Sequence, residues 1–138
     1  MVTESALLAL QRATHATLHL LTHELADLDL TASGINALAN LADGTPRTVS
    51  QLAAEVGARP STLTSVLDRL ERRGHISRGT LAGDRRSVLI ELTDSGRATS
   101  AAISAAITHI EHRALGDLPA SAVAGFHDVL RALIGASA

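Results

Sequence analysis

Residues 48–96 read TVSQLAAEVGARPSTLTSVLDRLERRGHISRGTLAGDRRSVLIELTDSG, and this stretch decides the fold. Apolar residues recur every three or four positions in 48–56 and again in 60–73, which predicts two short helices. Gly57 ends the first helix, and Pro60 suits the first turn of the second. Two short helices joined by a glycine-containing turn of three or four residues are typical of a helix-turn-helix.

The period of the apolar residues then changes from that of a helix to two. Residues 76–81 and 87–92 predict two strands, and the polar residues 82–86 between them predict a turn that carries two arginines. The apolar face of the second strand consists of Val88, Ile90 and Leu92. We call this predicted hairpin, at about residues 76–92, the wing.

Long apolar helices are predicted on both sides of this stretch. One covers residues 4–26, another follows Thr31, and a further pair covers residues 93–115 and 120–136. Their apolar stripes exceed what one small domain can cover, so we expect a homodimer. The predicted fold is mainly α (α+β). It divides into an N-terminal dimerisation helix, a winged helix-turn-helix lobe and C-terminal dimerisation helices, at residues 1–30, 31–97 and 98–138.

The composition narrows the possible functions. The 138 residues include no Cys, which excludes disulfides, thiolate metal sites and cysteine nucleophiles. No apolar run approaches the roughly 18 residues of a membrane span. The net charge is −2, but residues 44–97 hold nine Arg against six acidic residues, a net of +3. This basic lobe favours nucleic acid as a partner, although an Arg-rich codon bias would give the same composition.

The outward side of the second short helix carries hydroxyl groups and arginine. Short hydroxyl side chains near a helix N-terminus can reach base edges or phosphates in a major groove, and arginine suits a narrow minor groove. The alternative for each single residue is a solvated surface. We expect groove contacts from Arg59, Ser61, Thr62, Thr64, Ser65 and Arg69, backbone contacts from Arg72, Arg73 and Arg78, and a minor-groove contact from Arg85 or Arg86.

Several motifs in this stretch, taken as a set, resemble the multiple antibiotic resistance regulator (MarR) family. They are Leu-Asp-Arg-Leu-Glu-Arg-Arg-Gly at 67–74, Asp-Arg-Arg at 84–86 and Leu-Thr-x-x-Gly at 92–96. The flanking helices fit as well, so the resemblance covers essentially the whole chain. It implies a triangular homodimer that binds double-stranded DNA at an inverted repeat and represses transcription until a small ligand or an oxidant relieves it.

The resemblance also implies roles for particular residues. Pro60 would lie on the recognition helix in the major groove, Arg86 would enter the minor groove, and Asp84 would fix the wing loop. Two features depart from the family pattern. Ser65 stands where many relatives carry a basic residue, and the lack of Cys excludes relief by thiol oxidation.

Histidines on the two long helices suggest a second site. His15, His19 and His23 are spaced by four residues on one helix face, with Glu24 next to them; His109 and His112 lie on the other long helix. Histidines four residues apart on a helix can chelate zinc, and a solvated helix face is the alternative. By the resemblance, an anionic or phenolic effector would lie near Arg12, His15, His19 and His109. The zinc candidates are His23, Glu24, His109 and His112.

We therefore expect a DNA-binding transcriptional regulator without enzymatic activity or cofactor, in the bacterial cytoplasm at the nucleoid. No Ser/His/Asp order, phosphate loop or dinucleotide fingerprint is present. The HExxH zinc-protease pattern begins at His23, but Asp27 stands where its second His should be. Two alternatives stay open: a zinc-responsive regulator on the same scaffold, and a protein-interaction module that has lost DNA binding.

Overall fold

The computed structural model describes residues 4–81 and 84–136, with only the backbone of residue 81 and residues 84–87. Its elements are α1 (Ala6–Glu24), a 3-10 turn (Ala26–Leu28), α2 (Ala32–Asn40), β1 (Arg47–Thr48), α3 (Val49–Val56), α4 (Pro60–Arg72), β2 (Ile76–Leu81), β3 (Asp84–Leu92), α5 (Asp94–Leu115) and α6 (Ala120–Gly135). A mainly helical chain with a helix-turn-helix and a β wing confirms the predicted fold class. None of the helices described has the length and apolar character needed to cross a membrane.

The chain divides into two compact units, Met1–Ile107 and Thr108–Ala138. The first unit holds the helix-turn-helix and the wing, and the second holds the end of α5 together with α6. The predicted boundaries near residues 30 and 97 separate dimerisation from DNA binding, and they stay a prediction.

Local hydrogen bonds explain where the helices begin. Thr31 caps α2 by accepting a hydrogen bond from the N–H of Gly34 (3.1 Å). At the start of α3, Thr48 and Gln51 cap each other's backbone N–H groups, which is a capping box. Gly57 ends α3 with a φ of 72°, a left-handed conformation that glycine adopts without strain. These caps confirm the predicted turn between the two short helices.

The sheet has three antiparallel strands in the order β1-β3-β2, so the predicted two-stranded wing was incomplete. The short strand β1 pairs Arg47 with Ile90. A second correction concerns β3, which begins at Asp84 rather than at residue 87, so that residues 84–86 continue the strand instead of forming the turn. Val88 shares a face of β3 with Ile90, as predicted, but it is 41% exposed while Ile90 is buried.

The core of the first unit is aliphatic and centres on α4. The apolar side of α4 packs with residues of α2, α3, the sheet and α5; the largest buried side chains are Ile35, Leu38, Leu41, Leu52, Leu63, Leu67, Leu70, Ile76, Ile90 and Ile103. The apolar residues that recur at helical spacing in 60–73 are buried in α4, apart from Val66, which is only partly buried. The polar Ser100 is buried as well, and its hydroxyl donates to the carbonyl oxygen of Leu38 (2.9 Å).

A close backbone contact joins the end of α4 to the start of α5. The N–H of Thr93 donates to the carbonyl oxygen of His75 (3.1 Å), and the Thr93 hydroxyl donates to the carbonyl oxygen of Gly74 (2.5 Å). A Cβ atom at Gly96 would lie 1.8 Å from the same His75 oxygen. Glycine is therefore the residue that lets α5 begin against this backbone.

Replacing Gly96 by Ala is expected to destabilise the fold by about 2–3 kcal/mol, because the added methyl group overlaps backbone atoms that cannot move aside as a flexible side chain can. Urea unfolding followed by circular dichroism measures this change. Gly79→Ala is the control, since a Cβ there meets no atom within 4 Å. Equal losses in both variants would contradict the steric explanation.

Candidate nucleic-acid interface

The outward face of α4 consists of short hydroxyl side chains on a firmly anchored helix. Ser61, Thr62, Thr64 and Ser65 are all exposed. Two of the hydroxyls donate to the helix's own backbone: Thr64 to the carbonyl oxygen of Pro60 (2.9 Å) and Ser65 to that of Thr62 (3.0 Å). The hydroxyls of Ser61 and Thr62 make no hydrogen bond to the described part of the chain, so they can both donate and accept outward.

The predicted DNA-contacting arginines fall into two groups. Arg59 and Arg69 are exposed and form no ion pair with the residues that the structure describes, so their charges are free for an external anion. Arg72 is also exposed, and its Nε lies 3.4 Å from the carbonyl oxygen of Asp68, a long contact within the helix.

Arg73 and Arg78 have partners within the chain. Arg73 donates to the carbonyl oxygens of Leu28 (3.0 Å) and Asp29, and so ties the end of α4 to the turn before α2. Arg78 donates to the carboxylates of Asp68 and Glu71 on α4. The structure therefore brings these two arginines to the same lobe as the exposed hydroxyl residues of α4, but with donors engaged within the chain.

Sequence reasoning missed the ion cluster around Arg47. This side chain is only 13% exposed, and its guanidinium donates to Asp43 (2.5 and 2.8 Å) and to Glu55 (3.0 and 3.3 Å). The hydrogen bonds from Arg47 hold the pKa of Asp43 well below its ordinary range. The spacing of four residues between Asp43 and Arg47 was the available signal. The cluster joins the start of β1 to α3.

The wing residues Asp84, Arg85 and Arg86 belong to β3 by their backbone. Their side chains, like residues 82–83, lie outside the described part of the chain. The minor-groove contact of Arg86 and the role of Asp84 stay predictions.

The candidate effector and metal residues lie on exposed surfaces of the two long helices. Arg12 forms an ion pair with Glu4, and His15, His19 and His23 are exposed along α1. His109 and His112 are exposed on the part of α5 that belongs to the second unit. Within residues 4–81 and 84–136, apart from the side chains of 81 and 84–87, no three His, Asp or Glu side chains come together as a metal site.

His75 is a buried imidazole between the recognition helix and α5. Its Nδ1 lies 3.5 Å from the hydroxyl of Thr99, a contact at the limit of a hydrogen bond. Burial, together with the positive charge of Arg73, lowers the pKa of His75. The neutral imidazole is thus the form that the buried site next to Thr99 accommodates.

A core-anchored helix with a polar outward face, followed by a β wing, defines a winged helix-turn-helix protein. The family model described as MarR family matches residues 30–88. This match lies over the part of the chain that carries the motifs at 67–74 and 84–86, on which the predicted resemblance rested.

A sequence relative and two solved structures are similar to this chain. The transcriptional regulator PecS of Dickeya dadantii (strain 3937) is 53% identical over 47 residues, which are 34% of this chain and 28% of PecS. The match therefore spans less than a third of that relative. The structure of the transcriptional regulator PA3341 has a TM-score of 0.85 at 29% identity, over 92% of this chain and 93% of that one.

The second solved structure is a MarR-family protein from Listeria monocytogenes complexed with 26mer DNA. It has a TM-score of 0.86 at 15% identity, over 95% of this chain and 87% of that one. At this identity the likeness shows the fold, and the fold extends over nearly the whole of both chains.

The stability of the protein is expected to fall as the pH drops below about 6.5, the ordinary pKa of histidine. Because the pKa of His75 is lowered in the folded state, the unfolded chain binds the proton more readily, and stability rises with pH between the folded and unfolded values. One such group contributes at most about 1.4 kcal/mol per pH unit. Urea unfolding between pH 5 and 7.5 measures the slope.

The matching variant is His75→Gln, which is expected to flatten that slope. His19→Gln, at an exposed position on α1, controls for the removal of an imidazole as such. An unchanged slope in His75→Gln would show that the buried imidazole does not carry the effect.

Proposed function

We propose that this protein is a transcriptional regulator that binds double-stranded DNA in a sequence-specific manner through α4 and the wing. The observation that carries this proposal is the outward face of α4. It presents four exposed hydroxyl side chains together with Arg59 and Arg69, whose charges have no partner in the described chain. A polar face of this kind, on a helix held by a buried aliphatic face, suits the major groove.

The contacts divide between reading bases and holding the backbone. Ser61, Thr62, Thr64 and Ser65 are the base-facing side chains, since they lie in the first half of α4 where a recognition helix meets base edges. Arg59, Arg69 and Arg72 hold phosphates on either side. Arg86, supported by Asp84 and accompanied by Arg85, reaches the minor groove, where the narrow width attracts arginine.

We further propose a homodimer that binds an inverted-repeat operator. Large apolar side chains are exposed on α1 and α6 of the single chain; they include Leu7, Leu8, Leu18, Leu20, Phe126, Val129 and Ile134. A second copy would cover them. Two-fold symmetry then sets two recognition helices about one DNA turn, or roughly 34–36 Å, apart.

Regulation is proposed to be repression relieved by a small anionic or phenolic effector. Arg12, His15, His19 and His109 supply the exposed cationic and imidazole groups for such a ligand, and the family resemblance motivates their choice. Thermal-shift screening of aromatic carboxylates, repeated with Arg12→Gln and His15→Gln, tests this part. A ligand that shifts the melting temperature of both variants as much as that of the wild type would place the effector elsewhere.

DNA binding itself is tested by selection from a random duplex library of about 30 base pairs, long enough for two half-sites one turn apart. Wild-type protein is expected to enrich an inverted repeat. Enrichment of no sequence would favour the alternative of an interaction module that has lost DNA binding.

The dimer is expected to dissociate when a charge is placed on the exposed apolar stripe of α6. Phe126 is 51% exposed in the single chain, and Phe126→Glu should weaken dimerisation at least about 30-fold, the effect of losing one interface hot spot of 2 kcal/mol. Ala124→Glu is the control, since it lies about 160° around the helix from Phe126. Sedimentation equilibrium reports both, and an intact Phe126→Glu dimer would contradict this interface.

Replacing Arg69 by Ala is expected to weaken binding to the selected duplex and to reduce the slope of log Kd against log salt by about two, because each subunit of the dimer loses one phosphate contact and its released counterion. Arg12→Ala removes the same charge from α1 and is expected to leave the slope unchanged. Fluorescence anisotropy at several salt concentrations measures both. Equal slopes for wild type and Arg69→Ala would remove Arg69 from the interface.

A further inference from the structure

One nitrogen of Arg78 is shared by two carboxylates of the recognition helix. The Nη2 atom lies 2.6 Å from Asp68 Oδ1 and 2.9 Å from Glu71 Oε1. These distances are those of charge-assisted hydrogen bonds. Asp68 and Glu71 lie three residues apart on α4 and so on one side of it. Arg78 therefore connects β2 to the outer surface of the helix at two points.

The arginine of this connection is more buried than that of an ordinary surface ion pair. The Arg78 side chain is 24% exposed, against 51% for Asp68 and 42% for Glu71. Arg78 lies on the same side of β2 as the buried Ile76, since side chains two apart in a strand share a face. The hydrogen bond from Arg78 also lowers the pKa of Glu71, so that this carboxylate stays charged and bound at neutral pH.

The position of Arg78 along β2 gives the connection leverage over the wing. Leu81, the last residue of β2, lies three residues further on, about 10 Å away at 3.3 Å per residue. A tilt of β2 by about 10° about the buried Ile76 would move Leu81 by about 3 Å and Arg78 by about 1 Å, and the shift at Arg78 would break its hydrogen bonds of 2.6 and 2.9 Å. Fixing Arg78 to α4 therefore fixes the distance from the recognition helix to the wing.

The same contacts remove Arg78 from the set of residues available to phosphate. Its Nη2 donors are directed at two carboxylates, and a phosphate approaching Arg78 would also approach the negative charges of Asp68 and Glu71. Arg69, one residue further along α4 from Asp68, has no such partner in the described chain and is exposed. The two arginines are thus neighbours with different electrostatic surroundings.

We propose that Arg78 is a positioning residue, which locks the wing to the recognition helix through Asp68 and Glu71 and does not itself bind DNA phosphate. This proposal rests on the proposed DNA-binding function, and it revises the sequence-based expectation that Arg78 holds the DNA backbone. Arg69 supplies the phosphate contact on this side of α4.

A double-mutant cycle separates positioning from phosphate contact. Arg78→Gln is made in the wild type and in an Asp68→Asn/Glu71→Gln background, and Kd for the duplex selected by the wild type is measured at several salt concentrations. In the wild type, Arg78→Gln, present in both subunits of the dimer, should raise Kd about tenfold with the salt slope unchanged. In the neutral background, where the lock is already open, the same substitution should change Kd less than about twofold.

Arg69→Ala serves as the matched arginine, and it should reduce the salt slope by about two, one for each subunit of the dimer, in both backgrounds. A reduction of that size for Arg78→Gln in both backgrounds would overturn the proposal, because it would identify a phosphate contact. Unchanged Kd with a lowered melting temperature would also overturn it, because Arg78 would then only support the fold.

DNA binding by the wild type distinguishes a failure of the proposed function from a failure of the role proposed for Arg78. A wild-type protein that selects and binds no duplex would overturn the proposed function, and the role of Arg78 with it. A wild type that binds its duplex while Arg78→Gln follows Arg69→Ala would overturn the role of Arg78 alone.

Discussion

The burial of Leu63, Leu67 and Leu70 fixes the rotation of α4 about its own axis, and the proposed interface depends on that rotation. All three side chains are at most 2% exposed. A fully buried leucine contributes about 1.5–3 kcal/mol, so the three together outweigh the roughly 1 kcal/mol of any single hydrogen bond on the opposite face. The core therefore decides which side chains point outward, and the outward residues follow from it.

Local signals in the sequence were sufficient for most of the fold. The helical period of the apolar residues, the Thr31 and Thr48 caps and the glycine at 57 each depend on residues within about four positions, and all of them were predictable. The strand β1 was not, because it has two residues and exists only through its pairing with Leu89 and Ile90, some forty positions later in the chain.

The same distinction applies to the candidate interface. The exposed hydroxyl face of α4 followed from the helical period, since a helix with one buried side presents the other. The state of each arginine did not follow, because the partners of Arg73 lie 44 and 45 positions away and those of Arg78 lie 7 and 10 positions away. A count of nine arginines between residues 44 and 97 therefore overstates the charge available to an external anion.

The separation of the two sides of α4 has a consequence for how the protein evolves. Substitutions at exposed sites without structural partners usually change stability by no more than about 0.5 kcal/mol, and Ser61 and Thr62 are such sites in the described chain. Mutations at these sites can accumulate while each intermediate variant remains folded. A duplicated copy could acquire a new target repertoire by drift on this face, while the aliphatic side of the helix remained under purifying selection.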